Sequence, residues 1–397
     1  MKFFKIGIVM TSLCIMIGVA YGETDNIDKA TQRFEKAISI NVKDYEAYYN
    51  MGVTYGESGS IEKAIKEYEK AVSINPKYSE AYYNMGVAYD KMGNMEKAIE
   101  QYQKAVSINS KYFEAYYNMG VSYGKTGDFD KAIECYAKGI SINSKFVEAF
   151  NNSGVIYYLK GDYDKAIEQY EKAISVNPKY FQTYAGIGLA YVAKGLYDKA
   201  IKQYEKAIEV NPKSSEIYNN MGIAYGKAGS FDKAIEQYNK AISINPKYSD
   251  AYDNVGDVYI AKNLYDKAIE QYKKAININP KNSITYFKMG LAYHYKGDYN
   301  KAIELYVEAV KINPNFSEVY NNMGTAYINK KEYGKAIEQY EKAVNINPKY
   351  SDAYANMGVA YGEKGDQVKA VDCYKQAANL GHEKAQQYLK ENGISWK

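Results

Sequence analysis

A period of 34 residues governs this chain. Counted from Tyr45, it runs through ten consecutive units without an insertion and closes at Lys384. A sequence that repeats at this spacing builds one small helical or strand unit many times over, and each unit relies on its neighbours to cover its apolar face. The two or three independent domains that 397 residues would otherwise imply are therefore not the expected organisation. A partial unit comes first: Ile27 to Asn41 (IDKATQRFEKAISIN) reads as the second half of a repeat only.

Within a unit, positions are numbered here as phases, with Tyr45 at phase one. The unit from Ser79 to Tyr112 shows two helix-period patterns. Tyr82, Met85, Gly86 and Tyr89 fall three and four apart, as one face of a first helix requires. Gly93 and Asn94 interrupt it, and Ala98, Ile99, Tyr102, Ala105 and Val106 resume the spacing in a second helix that ends at Asn109. All seven prolines (Pro76, Pro178, Pro212, Pro246, Pro280, Pro314, Pro348) stand at the same phase, just after that asparagine. Proline breaks a helix interior, so its confinement marks the boundary between units.

Phase eight is Gly and phase twenty is Ala in all ten units, and phase twenty-seven is Ala except at Gly139. Glycine inside a helix costs about 1 kcal/mol relative to alanine. Its recurrence predicts a close approach of two helix backbones. Tyrosine occupies phases eleven and twenty-four throughout, so most of the 47 tyrosines are expected to be packing residues that interlock with the small ones. On the outer face Glu100 and Lys104, four apart in the favourable order, have counterparts in most units.

Composition excludes several kinds of function. The net charge of +4 is spread among interspersed Lys and Glu, and Arg33 is the only arginine, so no basic face for nucleic acid is expected. The two histidines, His294 and His382, lie in different units, and no metal-ligand, phosphate-loop or nucleophile motif is present. No catalytic residue, cofactor or metal is expected. Cys135 and Cys373 are 238 residues apart, seven periods, and are expected to serve as small buried hydrophobes rather than as a disulfide.

The first 22 residues differ from the rest. MKFFK is positively charged, Ile6 to Ala20 is apolar, and Ala20 and Gly22 place small residues before Glu23. The pattern is that of a secretory signal peptide, and it predicts an exported protein, periplasmic or extracellular. An uncleaved membrane anchor is the alternative, although the apolar run is short for a full span. Cys14 has no lipoprotein-type box before it.

The phases filled by Tyr, Gly, Tyr, Ala, Tyr, Ala and Pro resemble the tetratricopeptide repeat consensus over residues 45–384, with Tyr and Met standing for its usual Trp and Leu. The resemblance implies an all-α, right-handed superhelical solenoid of antiparallel helix hairpins, with first helices lining a concave groove. Asn263 and Lys331 depart from it by replacing the turn glycine. The tail after Tyr374 is similar to the close of Sel1-like repeats, and residues 385–397 are expected to cap the array.

The resemblance also implies that the groove is lined by phases two, five, six, nine, twelve and thirteen. Phase six is asparagine in eight units: Asn50, Asn84, Asn118, Asn152, Asn220, Asn254, Asn322 and Asn356. Such a row can bond a peptide backbone whatever its side chains, since an amide both donates and accepts. It is similar to the asparagine ladder of O-linked N-acetylglucosamine transferase, and consensus usage explains it equally. Beside it stand Tyr49, Tyr83 and Tyr117 at phase five. In the eighth unit Phe287, Lys288, Leu291, His294 and Tyr295 form a distinct aromatic and apolar group, read either as an anchor pocket or as a face buried against another chain. The Lys, Asn and Arg clamp of chaperone-binding members is absent from every full unit.

The expected function is a non-enzymatic scaffold that holds a peptide or protein partner in the groove. The alternatives are a self-assembling component of the cell envelope and, further off, the repeat portion of a transferase-like glycosylation system. No nucleic-acid partner is expected, and membrane contact would come only through the N-terminal segment.

Overall fold

The computed structural model describes residues 24–396, so the signal-peptide reading of residues 1–22 and the surroundings of Cys14 lie outside the described residues. Among the described residues there are 22 α-helices and no strand. Helix α1 (Thr24–Ile40) is the partial unit. Ten helix pairs, α2 (Tyr45–Glu57) to α21 (Gln367–Asn379), follow in the 34-residue register, and α22 (Glu383–Glu391) is the last helix among the described residues. Helices α1 to α9 (Tyr163–Val176) belong to one compact unit and α10 (Phe181–Ala193) to α22 to a second. Inside each, a helix packs against the one before and the one after it.

Residue chemistry explains each hairpin. In the second pair, α4 (Ser79–Lys91) stops at Gly93, whose φ of 78° is left-handed. Two residues later α5 (Met95–Ile108) begins, and the Asn94 side chain accepts from the Lys97 N–H. Helix α5 ends at Asn109, whose Oδ1 accepts from the Lys111 N–H at 3.1 Å and turns the chain toward the next unit. Asn263 and Lys331 adopt the same left-handed backbone as the glycines they replace, at φ 57° and 59°.

The recurring phase-eight glycine has a sharper cause than helix proximity. A Cβ at any of the ten would stand 2.5–2.8 Å from a ring carbon of the phase-twenty-four tyrosine of the same hairpin. In the second unit that ring is Tyr102, on Gly86. The tyrosine lies flat in the space the glycine vacates. Nine of these ten rings are 0–4% exposed, and the phase-twenty alanines beside them are 0–1% exposed. The interlock of small and large residues is thus mainly within a hairpin.

The phase-eleven tyrosines are placed differently. They are only partly buried, and in every unit the phase-nineteen lysine stands over the ring, 5.3–5.8 Å from its centre. Each such contact contributes about 0.5–1 kcal/mol. On the outer face Lys104 meets Glu100 at 2.6 Å, with equivalent pairs at Lys172, Lys240 and Lys274.

Cys135 and Cys373 are free and buried. Burial pushes their thiols up to about 12 and about 11, so both are un-ionised small hydrophobes. At the end of the chain α22 packs Leu389, 0% exposed, and Ala385 against Ala377 and Ala378, with Tyr374, Tyr388, Ile394 and Trp396 around them. The helix of the tail begins at Glu383, before residue 385.

Candidate functional site

The asparagine row and the tyrosine stripe are parts of one construction. Asn84 donates an amide N–H to the Tyr49 hydroxyl of the preceding unit at 2.9 Å. Asn118 does the same to Tyr83, and Asn152 to Tyr117, both at 3.0 Å. Where phase five is asparagine instead, the bond persists: Asn254 donates to Asn219 at 2.9 Å and Asn356 to Asn321 at 3.0 Å. Phase six of one unit is therefore fastened to phase five of the unit before. Asn322 instead bonds the carbonyl of Glu318 in its own helix at 2.8 Å. Asn50 is exposed, whereas Asn220 is buried and forms no part of an exposed row.

Packing holds the phase-five rings rigidly. Tyr49 lies 5.9 Å from Tyr68 and 4.9 Å from Tyr78, centre to centre. Tyr83 repeats this with Tyr102 and Tyr112, and Tyr117 with Tyr136 and Phe146. Phe287 occupies the same place, 5.9 Å from Tyr306 and 5.3 Å from Phe316. It is a regular element of hairpin packing, and Leu291 is half-buried in the same cluster. Of the eighth-unit group, Tyr295 is the exposed member, at 55%. His294 is half-buried, edge-on to Tyr299 at 5.2 Å, and its Nε2 lies 3.4 Å from the Asn329 amide. Burial holds its imidazole below the ordinary value.

A second constellation was not singled out from the sequence. In the seventh unit both phase five and phase nine are acidic, Asp253 and Asp257, which occurs nowhere else in the array. Asp253 is 6% exposed. Its Oδ2 accepts from the Thr285 hydroxyl at 2.8 Å and the Asn282 amide at 3.4 Å, and its Oδ1 has no partner among the described residues. Burial raises its carboxyl to about 6; Lys288 and the Thr285 bond pull it back, and Asp257 and Asp250 push it up. Asp257 accepts from Tyr272 Oη at 2.8 Å and from Lys288 Nζ at 2.5 Å. Lys288, which interrupts the asparagine row, is thus the counter-ion to this pair.

Phase nine also supplies the partner of two buried tyrosine hydroxyls. Asp257 serves Tyr272, and Thr325 lies 3.2 Å from Tyr340 Oη. In the eighth unit phase nine is Leu291, and Tyr306 Oη has no partner among the described residues. The signal was present in the sequence: an inward phase whose residue type changes between polar and apolar.

A family model described as TPR repeat matches residues 55–93, 154–195, 188–229, 256–297, 290–331 and 324–365, more than half of the chain. The chain belongs to the TPR repeat family. Two models described as Tetratricopeptide repeat match residues 79–112, 113–146 and 215–248, and residues 11–43 and 351–380. No curated protein matches the chain. Among solved structures, the chain is similar to a tetratricopeptide repeat protein from Parabacteroides merdae, at 19% identity and TM-score 0.52, over 62% of this chain and 98% of that one. It is also similar to the C-terminal part of a TPR repeat-containing protein from Cytophaga hutchinsonii, at 23% identity and TM-score 0.50, over 59% and 98%. MamA is 34% identical over 41% of this chain and 95% of its own, at TM-score 0.40. The first two likenesses concern the fold. As a TPR array the chain is of a protein-interaction scaffold type. Among the described residues no group of His, Cys, Asp and Glu is arranged to hold a metal, and no helix is long and apolar enough to cross a membrane.

Proposed function

We propose that this TPR array is a non-catalytic scaffold that holds an extended peptide segment of a partner protein along the phase-five and phase-six strip of its first helices. The observation that carries the reading is the fastening of Asn84, Asn118 and Asn152 to Tyr49, Tyr83 and Tyr117. One N–H of each amide is used to fix the side chain. The rest of each amide is held in a set orientation, with the Asn152 carbonyl also accepting from the Asn151 amide at 3.3 Å, so little side-chain freedom is lost on binding. The spacing of one amide per repeat suits recognition of a peptide backbone. The asparagines therefore act as a fixed row, not as freely rotating ladder rungs. In the second compact unit, taken by itself, the exposed ring of Tyr295 offers an aromatic contact. The basic, apolar, small-residue pattern of the N-terminus supports a working place outside the cytoplasm.

The test is selection of binding peptides from a random display library, followed by titration against variants. Asn84→Ala with Asn118→Ala should weaken the selected peptides at least tenfold while the helical circular dichroism is kept. Unchanged affinities in that pair would remove the strip from the reading.

A further inference from the structure

Helix α14 (Ser249–Ala261) carries three carboxyls and no lysine or arginine. Asp250, Asp253 and Asp257 stand three and four apart, on one face of the helix. On the outer face acids meet lysines one to one, Glu236 with Lys240 and Glu270 with Lys274, both at 2.7 Å. On α14, Asp253 and Asp257 share one ammonium among the described residues, that of Lys288.

The sharing is unequal. Where the next unit has an asparagine at phase six, an accepting side chain at phase five receives its N–H, as Asn219 does from Asn254 and Asn321 from Asn356. Lys288 holds that phase-six place on α16 (Ser283–Tyr295), yet it donates to Asp257, one turn further along α14. Asp253, 6% exposed, keeps an Oδ1 with no donor among the described residues. Such a buried oxygen is costly until one more hydrogen bond reaches it. Phases five and nine are about 6 Å apart along the helix axis, within the sweep of a flexible lysine stem. Lys288 thus faces two carboxylates and serves one.

A second organic cation completes this set. Asp257 is the outward member, its side chain 43% exposed, whereas Asp253 is closed to solvent. A cation arriving from outside therefore meets Asp257 first. Beside the pair α16 turns apolar: phase two is acidic in eight units and is Ile284 here, 46% exposed, with Tyr295 55% exposed. Apolar surface next to a carboxylate suits the carbon stem of a long basic side chain.

We propose that Asp257 receives an arginine or lysine side chain of the partner peptide while Lys288 passes to Asp253, so that a basic residue beside a large apolar one is selected between α14 and α16. The proposal rests on the reading of the array as a peptide scaffold and adds what its second compact unit selects.

The test uses peptides selected from a random display library on the full chain. They should carry arginine or lysine beside a large apolar residue, and changing that basic residue to glutamine should weaken binding roughly tenfold or more. Asp257→Asn should weaken the basic peptide by a similar factor and leave the glutamine copy unchanged, as a direct pair requires. Lys288→Asn restores the amide of the other units, gives Asp253 a donor and frees Asp257. It should therefore tighten the basic peptide roughly threefold or more, the opposite of what a lysine that merely holds the fold would do. Glu270→Gln, on the outer face, should change nothing, and circular dichroism should show each variant folded. Equal losses for the basic and glutamine peptides in Asp257→Asn, or weaker binding in Lys288→Asn, overturn the proposal. Peptides that need Asn84 and Asn118 but carry no basic residue overturn it and leave the asparagine strip standing. Basic peptides that need Asp257 but not those asparagines do the reverse, and recovery of no peptide overturns both.

Discussion

Asp253 carries a carboxyl where its counterparts carry an amide, a ring or, at Ala185 and Ala355, only a methyl. Asn219 and Asn321 accept a hydrogen bond from the asparagine of the next unit, but the next unit here offers Lys288, which is engaged with Asp257. A buried carboxyl at about 6, against 3.8 in an unfolded chain, binds a proton in the folded state that the unfolded chain has released. Its contribution therefore favours folding below about pH 4 and is lost as pH rises through about 6. Asp253→Asn should stabilise the protein at pH 7.5 by on the order of 2–3 kcal/mol, and the difference should narrow to about a third of that as pH falls to 4.5. Thermal unfolding of both chains at the two pH values checks this; a gap that does not depend on pH would mean that the charge is not its cause. The consensus residues, Gly at phase eight and Ala at phase twenty, were readable because ten copies spell the same packing. Asp253 and Asp257 were not, because a reading by repetition weighs what units share, and a single deviation gives no hint of whether its side chain is buried.

The hairpin is the element that the sequence specified best. Its turns, its asparagine end and its proline boundary all fall where the spacing predicts. One detail of energetics remained for the structure: at Lys331 the turn keeps its left-handed φ of 59° without a glycine. A side chain in that conformation costs about 1 kcal/mol. Lys331→Gly should therefore raise the unfolding midpoint of the ninth hairpin by the equivalent of about 1 kcal/mol, whereas Asn263→Gly should change it by a few tenths. Lys330 and Lys335, both ion-paired with Glu332, bracket the site and are unaffected by the change. A loss of stability in Lys331→Gly would show that contacts of the Lys331 side chain outweigh the backbone cost. The lysine over each phase-eleven tyrosine was in the sequence at every unit, but only the geometry shows that the two residues meet.

At the scale of the whole molecule, a repeat array has its weakest points at its ends, because a terminal hairpin has one neighbour instead of two. Helix α22 answers this at the C-terminus, with Leu389 fully buried on the last hairpin. Leu389→Ala should cost about 2–4 kcal/mol locally. Hydrogen exchange should accelerate in Gln367–Glu391 and hold steady in Tyr197–Ile278; a uniform acceleration would mean that the second compact unit unfolds as one body. The sequence made the cap expected from a change in spelling after Tyr374, but its helix start depends on the left-handed turn at Gly381, φ 90°, which shifts the repeat frame.

That cap also gives the chain an optical label. Its one tryptophan, Trp396, lies in the α22 cluster, in a protein with 47 tyrosines. Light absorbed at the tyrosines and emitted from the indole comes from a single end of the array. Fluorescence of the natural protein, with no added dye, therefore distinguishes loosening of the C-terminal cap from melting of the repeats before it.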